Sequence, residues 1–275
     1  ILLVLKRLKI YWPLLWTLIF AAASPDVMYR LTMTRPHNLS LALTLMIFAL
    51  MLTNGRKAVF VALGALSSFL HIALGWLPIF IALATNLIFK MRREPIRWKN
   101  TLCLTLGSII GLLARPHPIA ALKLAYIQVA DLIIAKASNL PLTFGRELKP
   151  HALDLFLRNA APALLIMITT FVLYKISRRG ARDSESRNLK NVFFASLVVS
   201  TIFLFVSAFV ARRSYDIFAG FCVIASASAL TLYLNNGRII KRGTAYQKLR
   251  RIIISSLIII FGFLGLNSVP VFIKY

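Results

Sequence analysis

VFFASLVVSTIFLFVSAFV, residues 192–210, carries no charge over a length close to the ~20 residues that cross ~30 Å of hydrocarbon as a helix. IIISSLIIIFGFLGL (252–266) has the same character. Around these runs, 59% of the 275 residues are hydrophobic and only 15% are charged. A soluble domain would carry about 45–50% apolar and about 25% charged residues. The mean hydropathy of +0.78 agrees. The fold class expected is all-α: a polytopic transmembrane helical bundle of about nine membrane segments. Apolar runs between charged breaks set those segments near 10–23, 39–53, 58–74, 77–89, 100–114, 151–174, 191–210, 216–234 and 252–270.

The net charge of +25 would point to nucleic acid in a soluble chain. In a membrane chain, basic residues instead gather in connections and set orientation, so the expected partner is the lipid bilayer and not nucleic acid. Lys and Arg crowd into 1–9, 54–57, 90–99, 175–190 and 235–251, whereas the alternate connections hold few. By the positive-inside rule the crowded set is cytoplasmic, which makes the beginning of this chain cytoplasmic.

Two places need a choice. Residues 58–89 would span about 48 Å as one helix, too long for one crossing. A break is expected in HIALGWLP (71–78), where Gly75 and Pro78 interrupt, giving two short spans or a re-entrant hairpin. In 119–137, Lys123, Gln128, Asp131 and Lys136 share one arc, opposite Ile119, Leu122, Val129, Ile133 and Ile134. That pattern predicts an amphipathic helix lying in the outer interface.

With these sides, the unusual polar residues collect on the outer face: Asp26, Arg35 and His37, His71, Arg115 and His117, then Arg212, Arg213, Tyr215 and Asp216. His151 falls on the same side. Histidine titrates near neutrality and can donate or accept, while the guanidinium fork suits phosphate. Simpler roles compete: Pro25 and Pro36 suit first helical turns, Asp26 suits a helix dipole, and Arg115-Pro116-His117 can end a helix. Asp154 and Arg158 read as an i,i+4 pair, and Asp183-Ser184-Glu185 as a solvated cluster. Arg212-Arg213-Ser214-Tyr215-Asp216 is the sharpest signal, because it places cations in a very short outer connection. Cys103 and Cys222 lie in apolar runs as free thiols, and no Cys/His metal cluster is present in the sequence.

R-P-H-N-L-S (35–40) at the start of a span, and R-R-S-Y-D (212–216) opening another, resemble the bacterial membrane glycosyltransferases of the GT-C superfamily, including relatives of oligosaccharyltransferase and C-mannosyltransferase. The resemblance implies transfer of a sugar from a polyprenyl-phosphate-linked donor at the outer face of the cytoplasmic (inner) membrane, to an acceptor the motifs do not name. It implies that Arg212 and Arg213 clamp the donor phosphate, that Arg35 and His37 line the cleft, and that the 119–137 helix lies over it. It also implies a carboxylate in a first outer loop as base or metal ligand. That loop would precede Ile1, so an N-terminal part is expected upstream. A divalent cation, Mg or Mn, is implied only with that loop; Asp26 and Asp216 are the outer acids that could substitute. An O-antigen polymerase- or ligase-like enzyme and a transporter or flippase are the alternatives.

Overall fold

In a computed structural model, residues 1–21, 27, 31, 36–131, 134, 138, 163–164, 166–168, 170–171, 174–175, 184–211 and 214–235 are described. Helices α1 (Leu2–Arg7), α2 (Pro13–Ala21), α3 (Pro36–Thr53), α4 (Lys57–Leu70), α5 (Trp76–Met91), α6 (Trp98–Leu113), α7 (Pro118–Tyr126), α8 (Ser184–Phe209) and α9 (Tyr215–Asn235) account for most of them. Among the described residues there is no strand. The apolar helices of membrane length are Pro36–Thr53, Ile72–Met91, Ser186–Phe209 and Tyr215–Asn235, with the bent pair α6–α7 as a fifth if it is one element. Among the described residues the chain is therefore all-helical, with four helices, or five if the bent pair is one, apolar and long enough to cross a membrane.

The chain divides into two compact units, 34–149 and the pair of segments 1–33 with 150–275. In the first unit, Ile47, Leu50, Met51, Phe60, Ala82 and Leu104 form a core drawn from α3, α4, α5 and α6. The closest packing joins α4 to α6. A β-carbon at Gly64 would strike the Leu104 carbonyl oxygen, one at Gly107 that of Val61, and one at Gly111 that of Ala65. Both helices therefore advance together along the seam, so they run parallel, with α5 as the return. The other face of α6 carries exposed Leu102, Leu106, Ile109 and Leu113. An apolar stripe of that extent is at home in lipid rather than water.

Helix ends follow local chemistry. His71 leaves the helical region (φ −145°, ψ 87°), Ile72–Leu74 form a 3₁₀ turn, and α5 begins at Trp76. The expected break is thus narrower than 71–78: Pro78 lies in the first turn of α5, where its missing N–H costs nothing. His117 takes the left-handed conformation (φ 54°), Pro118 opens α7, and α7 lies at 114° to α6. A π-helical turn, Ile127–Asp131, continues α7.

In the second unit, α8 and α9 form the dominant pair. Tyr174 stacks on Phe193 at 4.2 Å and meets Phe194 edge-on. Tyr11 ties the start of α2 to the end of α9, its hydroxyl donating to Asn235 Oδ1 at 2.7 Å and its N–H to Thr231 Oγ1 at 3.1 Å. Cys222 is buried and Cys103 half-buried, both as free thiols. The expected span 252–270, most of 151–174, His151, and the Asp154–Arg158 pair lie outside the described residues.

Candidate functional site

Of the outer-face candidates, Asp26, Arg35, Arg212 and Arg213 lie outside the described residues. The rest divide between the two units. In the second, Tyr215 and Asp216 form the first turn of α9 and are buried, 1% and 3% exposed. Tyr215 meets Phe218 edge-on at 5.3 Å. Asp216 stands where the first-turn N–H groups and the positive end of the helix dipole favour a carboxylate. The aromatic and acidic members of R-R-S-Y-D are thus part of a helix start.

In the 34–149 unit, His37 is buried in the first turn of α3, while His71, Arg115 and His117 mark the end of the unit where α4 and α6 finish. Arg115 Nη1 donates to the Ser68 carbonyl at 3.0 Å and the Phe69 carbonyl at 2.7 Å. Those carbonyls belong to the last turn of α4, where a helix has no N–H of its own to offer them. A cation there also opposes the negative end of the dipole. The second Arg-Pro-His therefore joins two jobs: Arg115 closes α4, and His117 turns the chain into α7. His117 is exposed.

Below this corner lies a cleft of about 430 Å³, lined by Ile72, Trp76, Ile79, Ile109, Leu122 and Tyr126 among others. Two of its hydroxyls are turned away: Thr105 Oγ1 donates to the Thr101 carbonyl at 3.0 Å and Ser108 Oγ to that of Leu104 at 3.1 Å. The cleft is predominantly apolar, and its size lies in the range of small-ligand pockets, ~300–1,000 Å³. α7 forms one wall yet keeps Ile119, Leu124 and Ile127 exposed. The helix therefore has apolar groups facing away from the protein as well as into the cleft.

Charge alone gives no hint of the cleft. The legible signal is Trp76, an amphipathic aromatic at the expected break in 58–89, where interfacial residues concentrate. Arg97, at the other end of the unit, looks in sequence like any cation of 90–99. Its backbone N–H donates to Asn86 Oδ1 at 2.9 Å, its Nη1 to the Met51 carbonyl, and its guanidinium lies 5.0 Å from the Phe89 ring centre. Burial lowers its pKa below the ordinary arginine value, with Glu94 opposing.

Among the described residues, no three His, Cys, Asp or Glu side chains come together to hold a metal ion, so these residues do not supply the oxygen-rich set a divalent cation takes. The class defined so far is a helical protein with helices apolar and long enough to cross a membrane and an apolar cleft at one end of a four-helix core. No protein-family model, curated protein or solved structure matches this chain.

Proposed function

We propose that this protein handles a lipid-linked anion at the membrane surface, and that its reaction is glycosyl transfer from a polyprenyl-phosphate-linked donor to an acceptor. What carries the reading is the apolar cleft beside α7, with Arg115 bonded to the carbonyl of Ser68, one of its lining residues, and His117 at the start of α7. In this reading the chain crosses a bacterial cytoplasmic membrane about nine times, with its basic connections cytoplasmic and α7 in the outer interface. Arg212 and Arg213 carry the phosphate-clamp part on sequence grounds alone. A clamp of that kind would stabilise negative charge growing on the leaving phosphate in a site of low dielectric.

A lipid tail that moves from bilayer to apolar cleft leaves one hydrocarbon setting for another, so the transfer itself contributes little. Close packing and the headgroup must supply the selectivity. The role of the cleft is then to position the first units of the tail, and with them the phosphate. Filling it with a bulkier wall residue tests this. Ala125→Phe is expected to weaken binding of a polyprenyl phosphate to the full chain in nanodiscs by at least about ten-fold, the scale of overpacking a formed site. Trp76 fluorescence reports the binding, with Trp12, Trp16 and Trp98 replaced by Phe. Unaltered binding in Ala125→Phe removes the cleft from the reading. Binding without release of polyprenyl phosphate from a labelled sugar donor removes the transfer step.

A further inference from the structure

The end of the 34–149 unit remote from the cleft has its own chemistry. Arg56, Lys57, Lys90, Arg93 and Lys99 are exposed there, with Glu94 as the acid among them. Interleaved with these cations are exposed Met91, Ile96 and Trp98, at 76%, 39% and 52%. A surface built to hold a soluble anion has no use for three bare apolar side chains. A surface lying at the headgroup level of a bilayer, with acyl chains just below it, does.

The backbone there is fixed. α5 closes with Arg93 N–H donating to the Lys90 carbonyl at 3.1 Å and Glu94 N–H to that of Phe89 at 2.8 Å. α3 closes alike, with Gly55 N–H on the Leu50 carbonyl at 2.9 Å. The Arg97 network then pins the 92–97 connection to α3 and α5, and Asn86 Nδ2 extends it to Thr101 Oγ1 on α6 at 2.8 Å. Asn100 Nδ2, 3.5 Å from Asn54 Oδ1, sets the 54–57 turn beside the start of α6. Arg97 is spent on this framework. The exposed cations stand on a rigid platform, so little ordering is needed when a ligand arrives.

Arg93 itself is out of place. It sits at φ 56°, the left-handed position after a helix, where glycine is preferred and a β-carbon is strained. A strained residue at a rigid, exposed, cationic corner points to use of its side chain.

Independently of the reading above, we propose that this platform is a binding site for the headgroup of an anionic phospholipid, with Arg93 as its central phosphate contact. The test uses the full chain in phosphatidylcholine nanodiscs with Trp98 as the sole tryptophan. Quenching by brominated phosphatidylglycerol is compared with quenching by brominated phosphatidylcholine. The anionic lipid is expected to quench preferentially. Arg93→Gly is expected to cut that preference about five-fold, the weight of one basic residue near a charged surface. The same substitution relieves the strained backbone, so the melting temperature should hold or rise. Should it fall, Arg93→Asn, which tolerates the same conformation, decides on the same readout. Lys123→Gln, at the cleft end, is expected to leave the preference unchanged. A preference that survives removal of Arg93 overturns the proposal, as does one abolished by millimolar glycerol phosphate, which would mark a soluble ligand.

Discussion

The α4–α6 seam and the α8–α9 pair both join two apolar helices, but with opposite means. Along α4–α6 the side chains have been removed: Gly64, Gly107 and Gly111 let each backbone lie against the carbonyls of the other. Along α8–α9 larger side chains remain: Val199 and Phe203 on one helix and Phe218 and Phe221 on the other are buried. Serines are present in that pair too, yet Ser196 and Ser226 bond their own helix. Ser196 Oγ donates to the Val192 carbonyl at 2.6 Å, and Ser226 Oγ to that of Cys222 at 2.8 Å. Lipid tails are as apolar as leucine, so neither pair can rely on hydrophobic driving force alone; close packing has to supply it. The first seam depends on backbone fit, the second on side-chain fit. The two should therefore fail differently.

The sharpest break is Gly111→Leu. Its β-carbon would overlap the Ala65 carbonyl oxygen, a backbone atom that cannot rotate aside. Relief requires α4 and α6 to part along their length. The expected cost is about 3 kcal/mol or more, at the upper end for overpacking, read as a large fall in melting temperature in nanodiscs. If the variant melts like the parent, the seam is not the tight element described.

Arg97→Lys is expected to come next. A lysine cannot offer the planar fork that reaches the Met51 carbonyl while lying over Phe89. The loss of one charged hydrogen bond and one cation–π contact is expected to cost about 2 kcal/mol. The effect should be local: hydrogen exchange should quicken in 92–97 and the last turn of α3, not along α4–α6. Faster exchange along the whole seam would mean that the seam and the platform are one cooperative element.

Hydropathy and charge made the helices legible and their partners illegible. The expected spans 39–53, 77–89 and 216–234 fall within Pro36–Thr53, Trp76–Met91 and Tyr215–Asn235, because charge-free length is what both a span and its sequence signal measure. α8 starts earlier than 191, at Ser184, because a helix can run through Glu185, Arg187 and Lys190 without any of them entering hydrocarbon. The close approach made by α6 is signalled by the Gly107-x-x-x-Gly111 spacing, which charge counting does not see, while its partner α4 and their parallel direction show only in the folded backbone. Arg93, Arg97 and Arg115 are alike in sequence. One is exposed and strained, one is spent in a network, and one closes a helix, and only the folded backbone separates them. The cleft is made by the 114° turn at His117, which periodicity in 119–137 hints at without giving its angle.

Ser196→Ala should have the smallest effect, and it sharpens the comparison most. Ser196 is fully buried in α8, so a role as interhelical glue would be a natural guess. Its hydroxyl, however, returns to carbonyls of its own helix, at 2.6 Å to Val192 and 3.2 Å to Phe193. In an α-helix such carbonyls already accept from the backbone N–H one turn on. Alanine therefore leaves no orphaned group, keeps the small volume, and removes a competitor for the helix bond. Polar contacts inside membranes average only about 0.6 kcal/mol, so the change in stability is expected to stay within that amount in either direction. A loss approaching that of Gly111→Leu would mean that the α8 hydroxyls bind across to α9. Both pairs would then depend on contacts that cannot be spared, and the distinction between backbone fit and side-chain fit would have to be given up.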